Sequence, residues 1–311
     1  MDEGVNVTVI TLGGFTHVQQ YGYIFFCLIL LMYLLMVFCN CSIIGLILSQ
    51  PNLQQPMYVL IAALLINSVL CSTAVHPKLL MDLVSENQTA SPSFCHLQFF
   101  LYYWLAGAEF LLLACMAFDR YVSICQPLHY HRIMRNRTLG SLLLTSWLVP
   151  ACQAAAMAAL SSRLQLCRWT LDGIFCNNSL YKLHCATPRA VSVYGVVALM
   201  VSGIIPMFFI LFTYVKIIQV SYQSCKEVRT KSAQTCLPHL LVLINFSLLS
   251  AYDIIIVRLN ARIPKAVHLF MTLQFVVYQP LFNAIIYGLK MREISSSLRK
   301  LFCSARVRVG G

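Results

Sequence analysis

Two carboxylates stand where carboxylates are rare. Glu109 interrupts an otherwise uncharged run at 94–118, and Asp253 interrupts another at 236–257. An ionisable group inside an apolar run is costly to bury and is normally retained for a purpose. Tyr102, Ala106, Glu109, Leu113 and Arg120 fall near one helical face, so Glu109 can point to an interior. There it is either a cation ligand or a protonated, hydrogen-bonded structural group. Asp253 is followed five residues later by Arg258, which gives either a ligand contact or a water-exposed pair near an interface. Asp119-Arg120-Tyr121 closes the run that holds Glu109. The guanidinium cannot lose its charge, so the adjacent aspartate can hold it in one arrangement and release it in another, which is the chemistry of a switch.

The chain has 14 cysteines. Most fall in or below the apolar runs and read as small buried side chains. Cys303 follows a short amphipathic stretch and is a candidate for palmitoylation. Cys95, Cys167, Cys176 and Cys185 lie at the start of an apolar run and along the polar segment 163–189. Four cysteines allow three pairings. No CxxC spacing occurs among them, which favours disulfides over zinc. His129-Tyr130-His131 sits in a basic loop as a solvated pair rather than a metal site. No H-E-x-x-H, G-x-S-x-G, G-x-x-x-x-G-K-[ST] or G-x-G-x-x-G occurs, so the reading is not an enzyme, with no cofactor. Glu109 is the one residue with a metal reading, as an ion ligand.

The elements that must position these groups follow from composition. Of 311 residues, 59% are apolar and 10% charged, with a mean hydropathy of +0.75. Soluble chains carry about 25% charge, so a water-soluble enzyme, a disordered tail and a coiled coil are excluded. A bilayer core about 30 Å thick needs roughly 20 apolar helical residues. Seven such stretches occur, at 20–49, 57–75, 94–118, 139–162, 190–215, 236–257 and 266–289. The expectation is an all-α membrane protein, a single seven-helix bundle at 20–289 with an external segment at 1–19. A cytoplasmic tail at 290–311 carries a short amphipathic helix. Pro150, Pro206 and Pro280 fall inside spans and can kink them or line a cavity. The acidic start Met1-Asp2-Glu3 is unlike a cleavable signal peptide.

The formal charge is +12, and its distribution orients the chain. With the amino terminus outside, 14 of the 22 basic residues fall on the inner face, opposed there by Asp119, Glu227 and Glu293. Basic residues accumulate in cytoplasmic loops, so this orientation follows. The charge then reads as a topology signal that attracts anionic membrane lipid and an acidic partner, not nucleic acid. The sequons at Asn6, Asn87 and Asn177 all fall on the outer face, as glycosylation requires. A transporter would need a continuous polar path or a visible repeat, and neither is evident.

The run from Met116 to Tyr130, MAFDRYVSICQPLHY, resembles the inner third-helix signature of olfactory receptors, a branch of the class A (rhodopsin-like) G-protein-coupled receptors. Leu53–Tyr58 (LQQPMY), Lys231–Leu240 (KSAQTCLPHL) and Pro280–Tyr287 (PLFNAIIY) resemble the same family's second-, sixth- and seventh-helix motifs. Ile66-Asn67 and Asn245-Phe246-Ser247 look like fish odorant receptors. The resemblance covers roughly 20–302. It implies a plasma-membrane odorant receptor that binds a small, water-soluble odorant and activates a heterotrimeric G protein of the olfactory stimulatory type, with cyclic AMP signalling. A non-olfactory class A receptor is the alternative.

The same resemblance implies disulfides Cys95–Cys176 and Cys167–Cys185. It implies a coupling role for Asp119, Arg120, Tyr121, Tyr214, Asn283 and Tyr287, with Asn40 and Trp147 as helix anchors. It places a ligand between the outer halves of helices three, five, six and seven, against Tyr102, Tyr103, Ala106, Ser202, Phe246, Leu249, Ser250 and Asp253. Two positions depart from the family. Glu109 matches an acidic position of the family's sodium site and is a sodium candidate on that ground, but Ser68 replaces a common aspartate, which weakens the sodium reading. Ala284 replaces the proline after Asn283, so a less distorted seventh helix is expected.

Overall fold

A computed structural model describes residues 9–15, 21–224, 226–259, 265–291 and 293–297. Seven long helices account for most of them. These are α1 (Gly22–Ser49), α2 (Pro56–Val84), α3 (Pro92–Cys125), α4 (Asn136–Ser162), α5 (Arg189–Tyr222), α6 (Lys226–Leu259) and α7, which runs from Lys265 to Lys290 in three pieces. Residues 293–297 are also helical. Two helices begin on the local signals that start helices. Pro56 and Pro92 supply a fixed φ at the first helical position, and Ser91 Oγ accepts from the Phe94 amide at 3.3 Å.

Several helices outrun the apolar stretches read from sequence. α2 continues nine residues past Val75, through His76, Pro77 and Lys78. His76 is buried, with Nδ1 bonded to the Ser72 carbonyl at 2.8 Å and its ring stacked on Tyr33. The Nδ1 bond to the preceding turn and the ring stacking hold the histidine inside the helix.

α3 is the hub, packed against α2, α4, α5 and α6, while α1 bridges α2 and α7. Lipid tails are as apolar as leucine, so buried polar contacts and close packing hold such helices together. Asn40 Nδ2 donates to the carbonyls of Met36 (2.8 Å) and Pro280 (3.3 Å), joining α1 to α7. Asn67 Nδ2 donates to the Leu105 carbonyl at 2.9 Å and its Oδ1 accepts from Trp147 Nε1 at 3.3 Å, joining α2, α3 and α4. Leucine and phenylalanine face outward, as at Leu31, Leu144, Phe208 and Phe212, where hydrocarbon would cover them.

α5 and α7 are each broken by one wide, π-helical turn, at Met200–Ile204 and Gln274–Tyr278. Pro206 and Pro280 follow directly, each with its i−4 carbonyl inside that turn. Proline has no amide hydrogen and its ring collides with that carbonyl, and a wider turn relieves both problems. The seventh helix is therefore distorted before Pro280. The stretch around Ala284 is regular, and the break lies upstream at Pro280.

One small sheet joins the helices. Ile10–Leu12 (β1) lies between Thr89–Ala90 (β2), with which it pairs antiparallel, and Thr170–Leu171 (β3), with which it pairs parallel. Ile10 is fully buried. A Cβ on Gly14 would sit 2.6 Å from the Gly173 backbone, so the segment closes on the loop only because that position lacks one.

Candidate functional site

The mouth of the bundle expected to face outward is roofed by the loop between α4 and α5. A Cys95–Cys176 disulfide (Cα–Cα 5.1 Å) ties this loop to the start of α3. Cys167–Cys185 (Cα–Cα 4.9 Å) closes the loop on itself. Gln98 seats the roof from both sides. Its Oε1 accepts from the Cys176 amide at 2.9 Å and its Nε2 donates to the Ala74 carbonyl at 3.2 Å. Phe175 packs on Tyr102 with ring centroids 5.0 Å apart, and the Asn178 amide donates to the Tyr103 hydroxyl at 3.0 Å.

Beneath the roof is a cavity of about 470 Å³. Its walls are α3, α4 and α5, with Tyr181 and Asn178 above and single residues from α6 and α7, Ser250 and Phe275, at the side. Of the residues expected from sequence, Tyr102, Tyr103, Ala106, Ser202 and Ser250 line it. Phe246 and Leu249 are buried but do not reach it. Phe246 instead packs on Phe110 (4.6 Å) and Phe275 (5.8 Å), forming a layer under the floor. The side chain of Asp253 lies outside the described residues.

The displacement toward α4 has a local cause. A Cβ on Gly107 would lie 2.8 Å from Pro150, so α3 and α4 approach closely there, and Gln153 is brought to the wall one turn further along. Gln153 Oε1 accepts from Ser202 Oγ across the cavity. The sequence carried one signal of this: Gln153 is a lone amide in an apolar span, three residues after a proline. Phe99, Phe110 and Met157 also line the cavity and were indistinguishable in sequence from ordinary packing residues. The described lining residues include no Asp, Glu, Lys, Arg or His. Burial pushes the Tyr181 phenol up to about 12, so it stays neutral, and its hydroxyl lies 3.9 Å from Met157 Sδ.

A polar cluster lies deeper. Glu109, almost fully buried, accepts through Oε1 from Asn283 Nδ2 (2.9 Å) and Gln279 Nε2 (3.2 Å). Asn283 Nδ2 also reaches Ser68 Oγ at 3.0 Å, and Asn245 Nδ2 donates to Gln279 Oε1. Glu109 therefore links α3 to α7 and α2 through neutral amide donors. Among the described residues no group of three or more His, Cys, Asp or Glu side chains could hold a metal ion.

At the inner end, Asp119 is fully buried and accepts from Arg120 Nε at 3.0 Å and from its Nη2. The Tyr130 hydroxyl donates to Asp119 Oδ1 at 2.8 Å. Burial first, and then the Asp119 charge, raise that phenol well above its usual range, so it remains a donor. Tyr214 and His239 Nδ1 are hydrogen bonded, and Tyr287 is fully buried with its hydroxyl unpaired among the described residues. A buried hydroxyl left unpaired costs free energy. Tyr121 is part-buried beside Arg120.

Of the expected glycan acceptors, Asn87 is exposed in a bend, whereas Asn177 is buried and its Oδ1 accepts from the Ser179 amide at 3.1 Å. A glycan does not fit on Asn177 in this arrangement. Asn6 lies outside the described residues, as do Arg258, by its side chain, and Cys303.

Comparison with known proteins supplies names for this arrangement. A protein family described as "Olfactory receptor" matches residues 26–305. Human Olfactory receptor 11A1 is 33% identical over 305 residues, covering 96% of this chain and 94% of that protein. Human Olfactory receptor 4N5 is 32% identical (96% and 97%), and rat Olfactory receptor 1 is 30% identical (98% and 98%). Squid rhodopsin superposes with a TM-score of 0.76 over 92% of this chain and 87% of its own, at 15% identity, a likeness of fold.

Proposed function

The chain belongs to the olfactory receptor family, and from that premise we propose that its ligand is a neutral, partly aromatic odorant held between α3, α4 and α5. It is a multi-pass plasma-membrane receptor that acts through a G protein, not an enzyme, and family membership selects this reading over a transporter. The observation that carries the ligand class is the cavity itself, roofed, about 470 Å³ and without an Asp, Glu, Lys, Arg or His among its described lining residues. Such a volume suits a small molecule. A charged ligand would lose its hydration there with nothing to replace it. Gln153 and Ser202 are the polar pair that would orient one hydroxyl, carbonyl or ether of a water-soluble odorant. The test is a cyclic AMP screen of neutral, amine and acid odorants on cells expressing the chain. Neutral compounds are expected to respond and to lose potency in Gln153→Ala, while a response confined to amines and lost in Asp253→Asn would replace this reading.

The ligand acts by binding one arrangement of the bundle better than another. α6 swings outward, Arg120 leaves Asp119, and the G protein docks on the basic face. Leu128, 95% exposed on that face, offers it an apolar contact. The G protein is the olfactory stimulatory type. Tyr214, Asn283 and Tyr287 rearrange with Arg120.

The whole chain acts as one receptor domain with the amino terminus outside. β1 shares a sheet with the loop that carries both disulfides, and disulfides form on the oxidising side. Asn6 and Asn87 are the glycan acceptors. Glu109 serves as a hydrogen-bond node, with two amide donors on Oε1.

A further inference from the structure

The cavity between α3, α4 and α5 is closed above and open at one side. Its roof is tied to α3 by Cys95–Cys176 and to itself by Cys167–Cys185. The flanks of the second disulfide are also laced together. The Cys167 amide donates to the Leu183 carbonyl at 2.8 Å, and the Cys185 amide donates to the Gln165 carbonyl at 3.0 Å. The lacing stops at Cys185. Among the described residues Ala186 and Thr187 make no hydrogen bond, and Pro188, which has no amide hydrogen, leads into α5. The exposure of the lining residues marks the gap. Thr187 and Ser192 are exposed, while every other described lining residue is buried or half-buried. A side chain that both lines a cavity and meets the exterior lies on its rim. Ser192 and Tyr194, two positions apart, project from nearly opposite sides of α5. The Tyr194 hydroxyl donates to the Gln153 carbonyl of α4 at 3.4 Å, so the Ser192 side is turned away from α4.

We propose that odorants enter this cavity from the membrane interface, through a side mouth rimmed by Thr187 and Ser192, and not through the roof. The depth of the mouth follows from its neighbours. Val193, Val196, Val197 and Met200 come next on α5 as exposed apolar side chains, so the mouth sits where the lipid-facing surface ends and the polar loop begins. Arg189, exposed at the same level, can extend its charged head to water. A small ring with one polar group collects at this level for the reason that Trp and Tyr do. Opening the roof breaks amide bonds and moves a loop held by two cross-links, whereas passing the mouth displaces two short side chains. Thr187 and Ser192 therefore filter odorants by size and set their rate of entry, while Gln153 and Ser202 set how tightly they are held. The inference rests on this cavity being the odorant site proposed above.

The test uses the full-length receptor in phosphatidylcholine nanodiscs and needs no odorant. Ala106→Cys places a thiol on the cavity wall. Its reaction with methyl methanethiosulfonate, a small neutral reagent, is timed by peptide mass spectrometry, which separates it from the native cysteines. Thr187→Trp and Ser192→Trp are each expected to slow that reaction about tenfold or more. Lys182→Trp, at an exposed roof position that does not line the cavity, should leave it unchanged. A trimethylammonium reagent with the same reactive group should lag behind the neutral one, each rate taken relative to that on free glutathione. Ala198→Cys, on the α5 wall, repeats the measurement independently of α3. Unchanged rates in both tryptophan variants at the rim overturn the proposal. Equal slowing in Lys182→Trp assigns the effect to the roof as a whole and also overturns it. A cationic reagent as fast as the neutral one moves the source to bulk water and overturns entry from the interface. Because no odorant is used, loss of the mouth leaves the proposed ligand class standing, and a screen answered only by charged odorants leaves the mouth standing.

Discussion

In the proposed reading ligand recognition turns on Gln153, which brings an amide to the wall of an otherwise largely aromatic and aliphatic cavity. A neutral hydrogen bond contributes about 1 kcal/mol, and an abandoned buried partner costs more. Gln153→Ala is therefore expected to raise the half-maximal concentration of a neutral odorant by roughly tenfold at unchanged surface level, read as a cyclic AMP dose–response. Asn283 is a second single residue with wide reach. Its Nδ2 serves both Glu109 and Ser68, so Asn283→Ala strips a buried carboxyl group of a donor. A loss of about 1–3 kcal/mol is expected, seen as a fall of several degrees in the melting temperature of the purified receptor. Combined with Glu109→Ala, the two losses should sum to less than their separate values, because the bond is shared. At the inner end, Arg120→Ala should spare odorant binding and abolish odorant-dependent nucleotide exchange in membranes.

Among the elements, the wide turn at Met200–Ile204 is set by Pro206 and decides where Ser202 points. Pro206→Ala restores an amide donor and removes the ring clash, so the turn can tighten to an ordinary helix and carry Ser202 away from Gln153. The expected result is a receptor that reaches the surface normally but responds weakly; normal potency in this variant would show that the turn does not shape the pocket. The roof loop has its own sensitivity, to acid. His184 is buried against Ser161 and Tyr181, and that burial lowers its pKa below the usual 6.5. The folded loop holds the ring neutral while the unfolded chain takes up a proton, so this contribution is complete above about pH 6.5 and shrinks as the pH falls further. Melting temperature is expected to drop between about pH 7.5 and 5.5, and His184→Gln should flatten that slope.

For the molecule as a whole, the seven spans and their orientation are one proposition. Epitope tags at Gly4 and Gly311 should be accessible from opposite sides of intact cells. The spans were legible because crossing hydrocarbon is a local demand, some 20 apolar residues in one helix, and the sequence answers it seven times. Asp119-Arg120 and the Tyr102, Tyr103, Ala106 face were legible for the same reason, since helical spacing alone fixes which residues share a side. Gln153 was missed because its place on the wall depends on how closely α4 approaches Gly107. The burial of Asn177 depends on a disulfide between residues 81 apart, and the pairing of Ile10–Leu12 on a loop far along the chain.

From the order of residues alone came the class of the protein, its seven crossings and the Asp119–Arg120 pair, each set by patterns within one or two helical turns. The position of the cavity against α4 and its neutral lining were settled only by packing. Side chains distant in sequence meet there at distances fixed by small residues, prolines and cross-links, and no single helix encodes the outcome.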